Sequence, residues 1–570
     1  MHVATIRTKG KGGKEYTSYL LRRSYREGRK VRHENLGNLS HLPLPVIDAI
    51  RKMLSGRVLV DLDEQLQIES SLPHGHVAAV LGVLRGLDLE RLLARERCRE
   101  RDRCVAMICQ LVIGSCSKLS MTRRFAQTTL ADELSLGEVT ETELLGAMDW
   151  LADRQQRVEN TLARRHLTDG AFVLYDLSSS YVEGRCCPLA ALGHSRDGKP
   201  GKPQINWGLV CSPDGRPISV QLHPGNTADP STVPGVIDTV RERFGIERVI
   251  LVGDRAMITD AHAATLKELG AGFVSALKSA QIRKLISAGN LQLSLFDQAN
   301  LAEISSEEFP GERLVVCRNP HLAAERTRKR EELLASTERE LAKVKQMVDG
   351  PRGTLRHATA GKIGERAGRV SNKYKVAKHF DLQIADGSFS YQRKTEQITS
   401  EAALDGIYVV RTTCPADQLT TQAVVRVYKQ LKMAERAYRT IKDALDVRPI
   451  RHHLEDRVEA HFFLSLLAYY LLFELQTRLA PILFTDDTPI APTDPVAPAK
   501  RSPDANTKAG RARTPDGLPA FSLTDLIAEL GTVCRNQLRI GESPHTFPRL
   551  TNLNTIQAKA LELLDVTLPK

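Results

Sequence analysis

The chain has 570 residues, about four times the length of a typical domain, so we expect two to four domains. Its composition, with 42% apolar and 26% charged residues, lies near the globular average and excludes a wholly disordered or collagen-like chain. Ten cysteines are too few for a disulfide scaffold, and the basic first 32 residues carry no signal-peptide pattern. We therefore expect an intracellular protein.

The net charge is +12, from 80 Lys and Arg against 68 Asp and Glu. The longest apolar run, from Phe462 to Phe473, is interrupted only by Ser465 and is shorter than the roughly 20 residues that span a bilayer. It predicts a core helix, and we expect no membrane partner. Excess positive charge then favours a polyanion, with nucleic acid as the default, although an ordinary solvated surface would give the same sum.

The first part of the chain divides into two regions. Residues 1–42 alternate polar and apolar side chains around a Gly-Lys-Gly-Gly turn at 10–13, which predicts a basic, β-rich N-terminal segment. From 43 to 166 the apolar periodicity becomes helical, and we interpret this part as a helical, DNA-binding region. Which of the two would read a DNA sequence is left open.

Residues 167–279 show the pattern of an α/β unit. Strands are predicted at 172–176, 204–211 and 217–222, followed by a helix to about 244, a strand at 248–253, a helix from 259 and a strand at 272–277. Three strands, a helix, a strand, a helix and a strand is the order of a ribonuclease-H-like core. We therefore predict an α/β fold in which this region is the first part of a ribonuclease-H-like catalytic core.

The second part of that core is predicted at 406–485, after an interruption. Residues 280–405 hold a charged helical stretch, a Gly-, Lys- and Arg-rich stretch and short strand-like pieces such as 314–317, so we interpret them as an insertion subdomain. Residues 486–517, rich in proline and mixed charge, predict a flexible linker, and 518–570 predict a small helical C-terminal tail.

Two aspartates follow apolar strands. Asp176 comes directly after residues 172–175 and Asp254 directly after 249–253, so both are expected at strand ends. Either one alone would more often be a turn or cap residue. On neighbouring parallel strands, however, the two carboxylates would lie within reach of one cation, and oxygen atoms are the ligands that Mg²⁺ prefers.

A third carboxylate lies on a later helix. Tyr428, Leu431, Glu435, Tyr438 and Lys442 are spaced three, four, three and four residues apart, which places all five along one helical face. A face that mixes Glu and Lys with two Tyr is unusual for a surface packed on a core. For this helix taken alone, the alternative is a plain surface helix with a Glu435–Arg439 pair at i, i+4.

The order of these features resembles the insertion-sequence DDE transposases, in particular the group marked by Tyr-x2-Arg-x3-Glu-x6-Lys. Tyr428, Glu435 and Lys442 are in register with that signature, whereas its Arg position holds Leu431, for which Lys432 or Arg439 could substitute. Further matches, in the expected order, are the stretches Tyr175–Ser179, His194–Lys199, His223–Asp229 and Gly253–Met257. The resemblance extends over about 105–480.

This resemblance implies a transposase that binds the terminal inverted repeats of its mobile element, cleaves DNA phosphodiesters and transfers the 3′-hydroxyl ends to target DNA. Two Mg²⁺ ions, for which Mn²⁺ can substitute, would activate the attacking oxygen and stabilise the leaving oxygen. The residues so implied are Asp176, Asp254 and Glu435 as catalytic metal ligands, and Tyr428, Arg439 and Lys442 as DNA contacts. The resemblance further implies a homodimer on paired DNA ends in the bacterial cytoplasm.

Two other functions stay open at this point: a ribonuclease-H-like nuclease without strand transfer, and a catalytically inactive DNA-binding derivative. The presence of all three carboxylates argues against the second. Some related transposases cleave through a DNA hairpin and hold a flipped base with a tryptophan of the insertion. The only tryptophans here, Trp150 and Trp207, precede Asp254, which disfavours that device.

Overall fold

The structure, a computed structural model, describes residues 1–9, 15–57, 66–292, 296, 300–490, 492–541 and 544–569. It divides into two compact units. The smaller comprises Met1–His74 with Thr532–Leu553, and the larger comprises Gly75–Gly531 with Asn554–Leu568. The Gly-Lys-Gly-Gly turn predicted at 10–13 lies outside the described residues.

The smaller unit begins with a three-stranded antiparallel sheet, as the alternating pattern of the first residues predicts. Its strands β1 (His2–Lys9), β2 (Glu15–Glu27) and β3 (Lys30–Asn38) are neighbours in chain order, and helix α1 (Leu44–Leu54) packs on β1. A second sheet has the order β16 (Thr546–Leu550), β15 (Cys534–Ile540) and β4 (Leu66–Pro73). The predicted helical tail therefore also contains strands, which the sequence did not indicate because their partner lies near the other end of the chain.

The larger unit begins with a series of helices, several of which pack on one long apolar helix. They are α2 (Gly75–Gly86), α3 (Leu89–Leu93), α4 (Arg99–Gly114), α5 (Lys118–Arg124), α6 (Leu130–Leu134), α7 (Glu141–Ala152) and α8 (Gln155–His166). The long helix, α17 (Glu455–Leu479), contacts α4 and α7. Glu455–Ile482 is long and apolar enough to cross a membrane by length and composition, but 83% of its most apolar window is buried in the protein. The predicted core helix is therefore confirmed.

A central sheet of eight strands carries the rest of the larger unit. Its strands are β5 (Phe172–Tyr181), β6 (Gln204–Cys211), β7 (Pro217–Pro224), β8 (Ile250–Val252), β9 (Gly272–Ala276), β10 (Leu301–Ile304), β11 (Arg313–Arg318) and β14 (Ile407–Thr412). Helices α9 (Val233–Asp238), α10 (Asp260–Glu268) and α11 (Ser279–Ser287) connect or follow them. The spatial order is β10-β11-β14-β9-β8-β5-β6-β7, with β5, β8 and β9 parallel and the other pairs antiparallel.

Five of these strands, read as β7-β6-β5-β8-β9, have the order 3-2-1-4-5 and agree with the predicted succession of the catalytic core. The sheet is wider than the sequence predicted. Strand β11, which we placed in the insertion, pairs with β14 in the main sheet, with Val316 opposite Val409. A short apolar run shows that a strand exists but does not identify its partner. The prediction that β11 belongs to the insertion subdomain was therefore wrong.

The elements that leave the sheet lie between β11 and β14. They are α12 (Pro320–Asp349), α13 (Ala360–Lys373), β12 (Phe380–Ala385), β13 (Ser388–Arg393) and α14 (Thr395–Ala402). Helix α12 has 30 residues and is therefore about 45 Å long. These elements enclose an apolar cluster of their own, which includes Leu341, Ile363 and Phe389. A separate core explains how such a long interruption can be accommodated between two strands of one sheet.

Helices α15 (Thr421–Lys429) and α16 (Leu431–Arg439) follow β14, and a π-helical turn (Thr440–Ala444) follows α16. Beyond α17, the helices are α18 (Pro503–Arg511), α19 (Leu523–Gly531) and α20 (Thr555–Leu564). Helix α18 falls in the stretch predicted as a flexible linker, and its Lys508 is buried with Nζ 2.9 Å from the Ala480 carbonyl and 3.1 Å from the Asp487 carboxylate. Polar contacts order this stretch, and composition alone does not reveal them.

Candidate active site

Asp176 lies within strand β5 and not at its end. The strand continues to Tyr181 and pairs with β6, whereas its parallel pairing with β8 ends where Leu174 lies opposite Val252. Asp176 is two residues beyond Leu174, and Asp254 is two residues beyond Val252. The two aspartates are therefore level on adjacent parallel strands, as predicted from the sequence, although only Asp254 follows the end of its strand.

Backbone groups hold Asp254 in place. Its Oδ1 accepts hydrogen bonds from the N–H groups of Ala256 and Met257, both at 2.8 Å. Its carbonyl oxygen accepts a hydrogen bond from the Ser275 hydroxyl at 3.0 Å. This pattern is the turn-stabilising role that a lone aspartate after a strand often has. These hydrogen bonds also fix the orientation of the Asp254 carboxylate.

Glu435 is carried on helix α16, which packs over β5. The preceding helix starts where Thr420 Oγ1 accepts a hydrogen bond from the Ala423 N–H at 3.3 Å, and a one-residue break at Gln430 separates the two helices. On α16 the buried residues are Leu431, Ala434, Ala437 and Tyr438. Glu435 is exposed, so its carboxylate remains open to solvent.

Electrostatics connect the three carboxylates. Burial, with smaller contributions from Asp254 and Glu435, raises the pKa of Asp176 to about 7, while the Leu177 N–H, 2.9 Å from Oδ1, and Arg196 oppose the shift. Both other carboxylates are thus near enough to disfavour ionisation of Asp176. Arg196 offers incomplete compensation because its guanidinium is itself paired with Asp229.

The donor set is suited to a hard divalent cation. Burial is the main reason that the pKa of Asp176 is raised, and Asp254 and Glu435 add to the shift, so a cation bound there would favour the ionised carboxylate. Within the described ranges, no group of three or more His, Cys, Asp or Glu side chains lies close enough to hold one ion. Asp254 and Glu435 therefore lie within electrostatic range of Asp176, but among the described residues the three carboxylates are not arranged as a set of ligands for one ion.

The three predicted DNA contacts have very different environments. Tyr428 is half-buried, and its pKa is raised to about 12 by burial and by Asp254 and Glu435, which places it beside the carboxylates. Arg439 is exposed. Lys442 is buried, with Nζ 2.9 Å from Oδ1 of Asp197, whose side chain is only 2% exposed. The five residues predicted to share one face therefore do not all do so.

The π-helical turn accounts for the position of Lys442. A π-helix has i→i+5 hydrogen bonds and more residues per turn than an α-helix, so it changes the angular spacing of side chains. The spacing argument assumed a continuous α-helix, but the turn Thr440–Ala444 is π-helical. Burial lowers the pKa of Lys442, and the Asp197 carboxylate opposes that shift.

Sequence reasoning missed the residues that hold the site together. Asp197 accepts hydrogen bonds from the Tyr181 N–H at 3.1 Å and from Lys442, and it is also paired with Arg448. Tyr438 donates a hydrogen bond to the Asp176 carbonyl oxygen and accepts one from the Leu209 N–H at 2.7 Å. The stretch His194–Lys199 marked Asp197, and the helix spacing marked Tyr438. Neither pattern indicated that these side chains are buried connectors.

Two family models match the chain. The model described as Transposase DDE domain matches residues 178–471, and the model described as IS1634 family transposase, N-terminal domain matches residues 3–59. The first match spans Asp254 and Glu435 and starts two residues after Asp176. Among solved structures, the chain is similar to a cryo-EM structure of a piggyBac transposase synaptic complex with hairpin DNA, at 10% identity and a TM-score of 0.34, over 71% of this chain and 73% of that one. No curated protein matches the chain.

Proposed function

The chain belongs to the transposases with a DDE domain, and we propose that it binds the terminal inverted repeats of its mobile element, cleaves DNA there and joins the freed 3′-hydroxyl ends to target DNA. The observation that carries this proposal is the level placement of Asp176 and Asp254 on adjacent parallel strands, with Glu435 near enough to raise the pKa of Asp176. We further propose that the five strands in the order β7-β6-β5-β8-β9 form a ribonuclease-H-like core.

Asp176, Asp254 and Glu435 would hold two divalent cations, Mg²⁺ or Mn²⁺. When bound, such cations lower the pKa of the attacking hydroxyl and stabilise the leaving oxygen of an in-line displacement. The protein contributes the orientation of these carboxylates. Backbone N–H groups fix Asp254, strand β5 fixes Asp176, and the buried face of α16 fixes Glu435.

For DNA, we propose that Tyr428 and Arg439 contact the strand near the reacting phosphate. Tyr428 lies beside the carboxylates, and Arg439 is an exposed cation one helical turn beyond Glu435. Lys442 could reach a phosphate only by leaving its ion pair with Asp197.

The elements between β11 and β14, with fifteen Lys and Arg against seven Asp and Glu over 321–379, would contact DNA as well. Assembly as a homodimer on paired ends completes the proposal.

Strand transfer separates this proposal from a nuclease of the same fold. The full chain is incubated with Mg²⁺, a supercoiled target plasmid and labelled duplexes that carry the element's pre-cut terminal repeats. A transposase covalently joins the label to the plasmid, whereas a nuclease only degrades the duplex. Glu435→Gln should lower joining by on the order of 10³-fold or more, since it removes a ligand for cations that stabilise the transition state. Binding of the ends should be nearly unchanged, because cationic side chains supply it.

Glu268→Gln is the matched control, because Glu268 is also an exposed helical glutamate but lies at the C-terminal end of α10. It should join ends at the wild-type rate. Joining by Glu435→Gln at that rate would remove Glu435 from the mechanism. Degradation of the duplex without any joining by the wild-type chain would favour the nuclease.

A further inference from the structure

Tyr438 occupies an unusual place in the β5–β6 ladder. Asp176 and Leu209 are directly opposite each other in this antiparallel pair. The Tyr438 hydroxyl accepts a hydrogen bond from the Leu209 N–H at 2.7 Å and donates one to the carbonyl oxygen of Asp176. A side chain of helix α16 therefore bridges the two ladder partners at the residue whose carboxylate belongs to the candidate active site.

The phenol is held firmly in this position. Tyr438 is 5% exposed, and its ring packs on Trp207 with a centroid separation of 4.6 Å. Burial raises the pKa of Tyr438 well above its ordinary value, so the hydroxyl keeps the proton that it donates. Both hydrogen bonds are buried, and an unpaired backbone group there would be costly.

Glu435 is three residues before Tyr438 on the same helix, so the two side chains lie on neighbouring positions of one face. On the other flank of Glu435, helix α16 presses against the turn that contains Gly215. This glycine has φ +90°, and a Cβ there would lie 2.7 Å from Cβ of Met433. The helix is thus fixed against the sheet on both sides of the glutamate.

We propose that Tyr438 is a positioning residue that sets the placement of Glu435 relative to Asp176 through its bridge across the Asp176–Leu209 ladder pair. The inference rests on the proposed function, because it assigns to Tyr438 the task of aligning the carboxylates for divalent cations. Tyr438 itself contacts no substrate atom. Its effect passes through the backbone of Asp176 and through the height of helix α16 above β5.

The test uses the full chain with Tyr438→Phe, which keeps the ring packing and removes both hydrogen bonds. Binding of Mn²⁺ is titrated by electron paramagnetic resonance, and cleavage of a labelled terminal-repeat duplex is measured over a range of Mn²⁺ concentrations. We expect the apparent Mn²⁺ affinity and the cleavage rate each to fall about 10- to 100-fold, as for other groups that orient metal ligands. Affinity for the duplex without metal should stay at the wild-type value.

Tyr470→Phe is the control, since Tyr470 is also buried and its hydroxyl lies 2.9 Å from Nε2 of His166, in a different part of the unit. It should leave the Mn²⁺ titration unchanged. Wild-type Mn²⁺ affinity and cleavage in Tyr438→Phe would overturn the inference, and so would equal losses in Tyr470→Phe. Should Tyr438→Phe not fold, Gly215→Ala tests whether metal binding depends on the placement of α16. Its added Cβ displaces the helix at Met433, so Mn²⁺ binding must weaken, and unchanged binding would overturn the inference.

The two proposals fail in different ways. If the wild-type chain binds Mn²⁺ through Asp176 and cleaves, while Tyr438→Phe behaves identically, only the positioning role is refuted. If the wild-type chain neither binds Mn²⁺ nor cleaves, the proposed function is refuted and the positioning role with it.

Discussion

Asp176 lies within strand β5 and Asp254 follows the end of the neighbouring strand β8, whereas Glu435 lies on helix α16 and Lys442 lies in the π-helical turn after it. Asp176 and Asp254 lie level with each other, as expected from counting two residues beyond the last paired residues of the parallel strands β5 and β8. On the helical side, Glu435 is exposed, but Lys442, which lies in the π-helical turn, is buried against Asp197 and does not share that exposed face. In a sheet, pairing fixes the level of each residue, but on a helix one change of turn redirects every later side chain.

The comparison also separates two kinds of charge. The ionised form of Asp176 is disfavoured, because burial raises its pKa and Asp254 and Glu435 add to the shift. The Lys442 ammonium, in contrast, is matched by Asp197, which Arg448 also contacts. A bound cation would offset the cost of ionising Asp176, whereas the pair between Lys442 and Asp197 stabilises the fold.

The largest expected effect tests whether Lys442 is structural. Lys442→Ala removes one partner of the buried Asp197 carboxylate, so we expect a loss of about 3 kcal/mol in the free energy of unfolding of the larger unit. Urea unfolding followed by tryptophan fluorescence measures this, since both tryptophans lie in that unit. The salt dependence of DNA binding by the folded variant should be unchanged.

Lys432→Ala provides the reference, because Lys432 is an exposed lysine on the same helix, and its loss should change stability by no more than about 0.5 kcal/mol. A stable Lys442→Ala variant with a shallower salt dependence would reverse the comparison. Lys442 would then be the phosphate contact that the family signature implies.

A second test addresses the raised pKa of Asp176. The folded chain holds the Asp176 proton up to about pH 7, whereas the unfolded chain releases it near the ordinary value of 3.8. The folded state therefore binds more protons between these values, and stability falls as pH rises through that window. Asp176→Asn cannot ionise. Without divalent cations, it should gain about 2 kcal/mol relative to wild type between pH 4 and pH 8, a figure reduced for the partial exposure of Asp176.

Urea unfolding in a chelator at the two pH values measures this difference. Asp153→Asn, at an exposed position after helix α7, should show no such change. At pH 8, Mg²⁺ should stabilise wild type more than Asp176→Asn, because a ligand that binds only the folded state adds to its stability. Equal pH dependence in wild type and Asp176→Asn would mean that the carboxylate is already compensated within the protein.

Sequence alone was sufficient for the parts of the site that depend on strand order. The positions of Asp176 and Asp254 follow from two apolar runs, and the order of strands and helices agrees with that of the predicted core. Sequence was insufficient where a buried polar contact decides the outcome. The Asp197–Lys442 pair, the Tyr438 bridge and the ordered stretch around Lys508 all join segments distant in sequence. No local periodicity encodes such pairings, because each depends on the assembled sheet.

The smallest expected effect concerns Arg439, an exposed cation near the end of helix α16. If Arg439 neutralises one phosphate, Arg439→Ala should lower the slope of log affinity against log salt by about 0.9 and weaken binding to all sequences alike. Fluorescence anisotropy of a labelled terminal-repeat duplex from low to high salt measures the slope. Arg248→Ala is the matched control. Arg248 is also exposed, but it precedes β8 and so lies at the opposite end of that strand from Asp254. A reduced slope in Arg439→Ala, with wild-type slopes in Arg248→Ala and Lys442→Ala, would show that the exposed and buried cations of one helix have separate roles. Equal slopes in all three would place the DNA on another surface.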